Sequence, residues 1–252
     1  MLGTLRRAGA VLDLFTTEEP EWGVTATAQR LGIGKSLAHD ILSSLAAIGL
    51  LQRVGHGRYR LGWRTISLAS VLLRTSELKA QARPVVRELA ERQRLPVSLV
   101  AWGCDRIIYL DCRRDRRYGG DCAPVAGMAA PLDGSAIAKV LLAGRPAHEV
   151  EVLWSGGLVR SGHTSLDELA SDLDRVRLLG WARDDAEGSV HSCMVAAPVR
   201  DPEGVVGAAI SLDLADRVSR INADAHTRAV VAAASRISAA MRRGEPAGAA
   251  VA

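Results

Sequence analysis

The sequence predicts an α+β protein built from two unlike parts. Three observations carry that expectation. A run of short helices and a hairpin, VTATAQRLGIGKSLAHDILSSLAAIGLLQRVGHGRYRL (24–61), lies near the N-terminus. Beyond Glu77, apolar strands alternate with helices, the pattern of a mixed sheet with helices on one or both sides. Charge is also uneven: residues 1–75 hold nine Lys/Arg against five Asp/Glu, and residues 76–252 hold 23 of each. The net charge of +4 therefore belongs wholly to the first part.

In chain order, Leu5 to Phe15 is an amphipathic helix through Leu5, Ala8, Val11, Leu12 and Phe15, followed by a loop over Thr16–Pro20. Ala28 and Leu31 sit at helical spacing after Thr25, and Gly32-Ile33-Gly34 stops that helix. A second helix carries Leu37, Ile41, Leu45 and Ile48 on one face and ends at Gly49. Its other face gathers Ser36, His39, Asp40 and Ser43. Gln52-Arg53-Val54 and Arg58-Tyr59-Arg60-Leu61, joined by Gly55-His56-Gly57, read as a hairpin. Helix, turn, helix and basic hairpin form the layout of a winged helix-turn-helix. In it the second helix enters the major groove and the hairpin lies along the phosphates. Residues 25–64 hold six basic residues and one acid, Asp40, which suits a polyanion. Two other readings compete. Any small helical domain can contain a helix, a turn and a helix. Gly34-Lys35-Ser36 also mimics the end of a phosphate-binding loop, but that loop needs glycine where Gln29 stands and a buried strand before it. The loop reading is rejected.

Gly62-Trp63 opens a further amphipathic helix through Ile66, Ala69, Val71, Leu72 and Leu73, suited to a connector or a dimer contact. Residues 77–94 are helical, with Pro84 opening the second part and Leu95-Pro96 ending it. SLVAWGCDRIIYLDCR (98–113) reads as two strands joined at Gly103-Cys104-Asp105. Arg113 to Arg117 is a solvated charged loop, and Val125 to Met128 resumes a strand. Pro131 to Ala143 is expected as a helix with Leu132, Ala136, Val140 and Ala143 buried. Helices follow at 146–153 and 165–179, the latter with Ser165 and Glu168 as a capping box. A strand spans Trp181 to Asp185. Residues 191–199 and 205–214 form an apolar hairpin about the turn Asp201–Gly204, and a long helix runs from Ala215 to Arg242. The neutral second part offers a pocket rather than a nucleic-acid surface.

Composition narrows the classes. The chain of 252 residues is 48% hydrophobic and 24% charged, ordinary for a globular protein. Cys104, Cys112, Cys122 and Cys193 show neither a CxxC pair nor zinc spacing, so no metal or cofactor is expected. The N-terminal stretch MLGTLRRAGAVLDLF does not read as a secretory leader, and no run approaches the roughly 20 apolar residues a membrane helix needs, so neither is expected. The expected setting is the cytoplasm, with reduced thiols. G-x-S-x-G, HExxH and dinucleotide-binding glycine patterns are absent. His191 and Cys193 would share a strand face, an arrangement a cysteine-dependent enzyme could use, but no third orienting residue accompanies them.

Four segments then resemble one family. GIGKSLAHDILSSLAAIGLL resembles the recognition-helix segment of IclR-type bacterial transcriptional regulators, and GRYRLG (57–62) resembles their wing-to-linker junction. PLDGSAIAKVLLA resembles their Pro-Leu-His-Ala-Thr-Ala-x-Gly-Lys-Ala-x-Leu-Ala element. LGWARDDAEGSVHSCMVAAPVRDPEGVVGAAIS resembles their most distinctive C-terminal block. The resemblance spans nearly the whole chain. It implies a winged helix-turn-helix over 1–62, a linker helix over 63–76 and a GAF-like effector-binding and oligomerisation domain over 77–243. A small, polar tail, 244–252, is expected to be disordered. It further implies a dimeric or tetrameric regulator, expected as a repressor, that binds operator DNA and responds to a small metabolite. Palindromic half-sites would follow from two-fold symmetry.

By the same resemblance Lys35, Ser36 and His39 face DNA, with Thr25, Asp40, Ser43, Arg58 and Arg60 completing the interface. Asp184 takes the position of the pocket aspartate and Ser211 that of a ligand-contacting serine. Gly127 and Met128 lie on the pocket rim, where backbone N–H groups would hold an anionic or carbonyl ligand. The departures are Asp40 for the usual arginine, Met194 rather than Cys193 at the pocket cysteine, Asp213 for the second serine and Asp133 for the histidine. Adjacent strand residues face opposite sides, so Cys193 is expected to point away from Met194. Three carboxylates sharing one cavity disfavour a carboxylate ligand, so a neutral or hydroxyl-rich effector is expected. The alternative is a constitutive DNA-binding regulator that has lost its ligand response.

Overall fold

A computed structural model describes residues 3–103, 106–113, 125–184, 193–214 and 221–244. The chain divides into two compact units, Met1–Ser76 and Glu77–Ala252. In the first unit, α1 (Gly3–Leu12) and α2 (Val24–Leu31) pack on α3 (Lys35–Ala47), which carries the core. Leu42 is fully buried there, among Val11, Ile41, Leu45, Leu51 and Tyr59. α2 ends because Gly32 turns left-handed at φ 63° and returns its N–H to the helix, and Gly34 then starts α3 in extended conformation. The buried stripe of α3 is Ala38, Ile41, Leu42 and Leu45. Ile48, expected on it, is 50% exposed, because the helix has ended and the chain is already turning at Gly49.

The hairpin is β2 (Leu51–Val54) and β3 (Arg58–Leu61), reversed through His56 and Gly57, both at positive φ. A two-residue strand that the sequence pattern did not reveal, β1 (Trp22–Gly23), pairs with the outer edge of β3. The backbone crosses closely behind the hairpin, where Gly62 N–H donates to Leu50 O at 2.8 Å. Next comes α4 (Arg64–Thr75), a helix with no buried residue.

In the second unit a six-stranded antiparallel sheet has the order β6-β5-β4-β11-β10-β9. Its strands are β4 (Val97–Gly103), β5 (Arg106–Arg113), β6 (Ala129–Ala130), β9 (Ala182–Arg183), β10 (Cys193–Arg200) and β11 (Val206–Leu214). One face packs on α5 (Glu77–Gln93) and the long α9 (Ala223–Arg243), around Val86, Leu99, Val195, Ile210 and Val230. The other packs on α6 (Ala136–Ala143), with α7 (Ala147–Ser155) and α8 (Leu166–Leu179) behind. Seven of the eight residues of α6 are buried. β7 (Leu132–Asp133) and β8 (Val159–Arg160) make a separate parallel pair.

Several expectations need correcting. Val125–Met128 is a turn rather than a strand: Gly127 sits at φ 96° and Met128 N–H bonds back to Val125 O. The helix expected from Pro131 starts only at Ala136, because Leu132 and Asp133 pair with β8 and Ser135 caps the helix by accepting Ala138 N–H. The cap of α8 is a wider box. Ser165 Oγ accepts Glu168 N–H, and the Glu168 carboxylate accepts from the Ser165 backbone and, more strongly, from Thr164. The charged run beyond Arg113, Cys104, Cys122, His191, the start of the last helix before Ile221 and the tail beyond Gly244 lie outside the described residues.

A Cβ on Gly62 would stand 2.3 Å from Gly49 O. Gly62→Ala should therefore displace the hairpin from the end of α3 and cost about 1–3 kcal/mol of stability. Thermal unfolding followed by circular dichroism reads this as a lower transition temperature. An unshifted transition would mean that the close crossing is absent.

Candidate DNA interface and effector pocket

Because α3 buries Ala38, Ile41, Leu42 and Leu45, its remaining face must look outward. Lys35, Ser36, His39 and Asp40 are all exposed, and Ser43 is half-buried one turn on, donating to Asp40 O. His39 Nδ1 lies 3.5 Å from Asp40 Oδ1, an ion pair when the imidazole is protonated. The carboxylate that replaces an arginine thus has a neighbour on its own helix. Thr25 is exposed at the start of α2.

On the hairpin, Arg58 and Arg60 share the face opposite buried Tyr59. Arg58 is held by Glu21, with Nε 3.2 Å from the carboxylate and Nη2 donating to Glu21 O at 2.9 Å. Arg60 donates to Gln52 Oε1 at 3.3 Å. Sequence reasoning passed over Arg53, an exposed strand residue whose guanidinium stands 5.6 Å from the Tyr59 ring. Arg53 lies opposite Tyr59 on the same face as Leu51, where strand alternation predicts a buried residue, so the pattern gave no signal for it.

In the second unit, register brings the expected pocket residues together on the α6 face of the sheet. Met194 lies opposite Asp213, and Ala196, Ser211, Ser98 and Cys112 form one cross-strand row. Ser211 is 1% exposed. Cys193 packs with the α5–α9 core, while Met194 packs with the α6 core. Asp184 follows β9 and clasps two elements: one carboxylate oxygen accepts Met194 N–H, and the other accepts Ala136 N–H, at 3.4 Å, from the first residue of α6. Burial raises its pKa above the ordinary carboxylate value, and those backbone donors and Lys139 only partly offset that. Asp133 accepts Ser135 N–H at 3.0 Å.

Gly127 and Met128 sit beside this face, but not as expected. Gly127 N–H donates to Tyr109 O at 2.7 Å and Met128 N–H donates to Val125 O at 3.0 Å. Both amides are consumed inside the fold, so neither is offered to a ligand. Ser98, Tyr109 and Cys112 were missed. Ser98 Oγ lies 3.8 Å from Cys112 Sγ. The Tyr109 hydroxyl titrates above its ordinary value, first through burial and then through the charges of Cys112, Asp133 and Asp213. Asp133 and Asp213 therefore stand near one phenol, which makes this end of the face acidic. Among the described residues no group of three or more His, Cys, Asp or Glu side chains could hold a metal ion.

What anchors α6 is a polar cluster behind it. Lys139 Nζ is 2.9 Å from Asp172 Oδ2, which His163 Nε2 also approaches at 3.4 Å, while His163 Nδ1 meets Ser161 Oγ at 2.7 Å. Burial pushes Asp172 up. Lys139, Arg175 and His163 outweigh that and leave its carboxyl below the ordinary value.

Comparison with known proteins adds to this geometry. Residues 70–239 match the family described as "Bacterial transcriptional regulator IclR C-terminal", and residues 4–55 match "IclR helix-turn-helix domain". The chain is 33% identical to HTH-type transcriptional regulator KdgR of Dickeya chrysanthemi, over 77% of this chain and 65% of that one. It superposes on an IclR family transcriptional regulator from Brucella abortus with a TM-score of 0.80 at 20% identity, covering 95% and 92% of the two chains. It also superposes on an IclR homolog from Microbacterium hydrocarbonoxydans complexed with 4-hydroxybenzoate, with a TM-score of 0.68 at 24% identity, covering 96% and 100%. Both likenesses are of fold.

Asp172→Asn tests the α6 anchor through pH. A carboxyl whose folded pKa is lowered contributes stability above its unfolded pKa and loses it as pH falls through the folded one. The variant should be less stable than wild type at pH 7 by on the order of 2 kcal/mol, since Lys139 would lose its partner. The difference should close in acid, below the ordinary aspartate range. A difference unchanged down to the lowest pH at which wild type folds would contradict the pairing. Denaturant unfolding across pH measures it.

Proposed function

This chain belongs to the IclR family of bacterial transcriptional regulators, and on that premise we propose that it is a ligand-responsive repressor that grips a palindromic operator as a homodimer or a dimer of dimers. Its DNA-binding helix-turn-helix and its C-terminal effector domain come with the family. The observation that carries the reading is the outward face of α3, where Lys35, Ser36 and His39 stand exposed over a fully apolar underside. Ser36 and His39 read base edges and Lys35 positions the helix on phosphate. Thr25 and Ser43 flank the contact. Arg60 lies along the backbone, joined by Arg58 once Glu21 releases it, and Asp40 orients His39 or accepts from a cytosine amino group.

Self-association is supported by α4 and the residue that precedes it: Trp63 is 74% exposed, and on the helix Ile66 is 59%, Val71 63% and Leu72 66% exposed. A stripe of this kind on a helix with no buried residue marks an interface, and a second copy related by a two-fold axis would cover it. The protein acts in the cytoplasm; among the described residues no helix is long and apolar enough to cross a membrane.

The effector lies on the α6 face, against Met194, Ser211 and Asp213, with Asp184 holding the floor and Gly127 and Met128 shaping the rim by their backbone path. The Microbacterium homolog is complexed with an aromatic acid. Here Asp133 and Asp213 beside Tyr109 would repel a carboxylate, which favours a neutral, hydroxyl-rich molecule. The engagement of Asp184 by two backbone amides favours a second reading, a constitutive regulator without ligand response.

Replacing His39 with alanine should weaken operator binding by about 1–3 kcal/mol, roughly 5- to 150-fold, and leave random-sequence DNA affinity within about twofold. Fluorescence anisotropy on both DNAs checks this. Equal losses would remove the base-reading role.

A further inference from the structure

A cleft of about 530 Å³ lies at the far end of α6 from Asp184. It opens between the end of α6, the start of α7, α8 and the β10–β11 turn. Met194 and Arg200 are six residues apart on β10, so the cleft is about 20 Å from the effector face at the usual strand rise. Its volume falls within the range that small-molecule sites occupy.

The lining is strongly cationic: three guanidinium groups, from Arg145, Arg177 and Arg200, face one carboxylate, Glu149. Each guanidinium is fixed by carbonyl oxygens. Arg145 donates through Nη2 to Val206 O and lies 5.4 Å from the Trp102 ring. Arg177 donates through Nε to Ala143 O at 2.8 Å, and Arg200 donates to Gly204 O at 3.1 Å. Carbonyl dipoles orient these groups without neutralising them. Among the described residues only Arg177 has a carboxylate partner, Asp174, and Arg145 Nε is buried with no acceptor. Pro146, which also lines the cleft, precedes α7 with no side-chain cap, and among the described residues Glu149 in the first turn is the one acid near that positive helix end. The walls are rigid. A Cβ on Gly144 would stand 2.5 Å from Val206 Cβ, so the end of α6 and the start of β11 meet in direct contact.

We propose that this cleft is a second ligand site, built for a small polyanion that carries a phosphate chain or several carboxylates. The N–H groups these guanidiniums still turn toward the cleft would donate charge-assisted hydrogen bonds to such oxygens, and little side-chain freedom is lost because the arginines are already held. The site is independent of the effector reading and opposite to it in charge preference.

The test is calorimetric titration of the full chain with inorganic pyrophosphate and, separately, citrate. At least one should bind the wild type with a dissociation constant below 1 mM. Arg177→Gln and Val205→Glu should each weaken it at least tenfold. Val205 is 48% exposed on the rim, so its glutamate places a competing carboxylate there with the arginines intact. Lys35→Gln, on the DNA-facing helix, should leave binding unchanged, and a cooperative thermal transition above the titration temperature would show that each variant is folded. No binding of either anion by the wild type would overturn the proposal. So would full affinity retained by Val205→Glu, or a loss caused by Lys35→Gln, which would assign the anion to the basic N-terminal unit.

Discussion

The C-terminal unit depends on the placement of one short helix inside it. α6 is apolar on nearly every side, and among its eight residues only Lys139 escapes full burial. A lysine so deep is tolerable only if its charge is met, and Asp172 meets it from α8. The ends of the helix are tied as well. Asp184 accepts its first amide and Arg177 donates to its last carbonyl oxygen, the pairing the helix dipole favours at each end. These ties hold α6 against the sheet face that carries Met194, Ser211 and Asp213. They also put opposite charges at its two ends, acids near Tyr109 and arginines near Gly144.

The N-terminal unit solves a different problem with the same economy. Among the described residues its core holds eight buried apolar side chains, six of them on α3 or the strands beside it, so the face left over is held rigidly. That face is short and polar, suited to base edges, while longer basic side chains sit on the hairpin. Glu21 balances Arg58 and His39 adjoins Asp40, so part of the unit's positive charge is already engaged. Binding DNA would exchange those pairs for phosphate contacts, a trade that depends on salt.

Much of this was legible in the sequence where local chemistry decides structure. Gly32 and Gly34 bracket the turn before α3, Gly57 permits the hairpin, and the two apolar strands around Asp201–Gly204 declare themselves by pattern. What escaped was tertiary. β1 and β7 are two residues each, too short for any periodicity, and exist because β3 and β8 offer them partners. Val125–Met128 has the composition of a strand, but Gly127 bends it and its amides turn inward. Arg58 finds Glu21 across 37 positions. Tyr109 and Cys112 are three apart in β5 and share the α6 face only because the register shifts between them, opposite Leu99 and Val100, and for Ser98 alternation does not say which face meets α6. Met194 is legible through the resemblance of the C-terminal block, and the pairing of β10 with β11 puts it opposite Asp213.

The most direct measurement is binding of the purified chain to the DNA upstream of its own gene, titrated with salt and with random-sequence competitor. A complex of two or four chains that survives excess competitor is expected, with log affinity falling linearly in log salt. Binding that an equal mass of random DNA abolishes would contradict it, because the face of α3 would then be attracting phosphate without reading sequence.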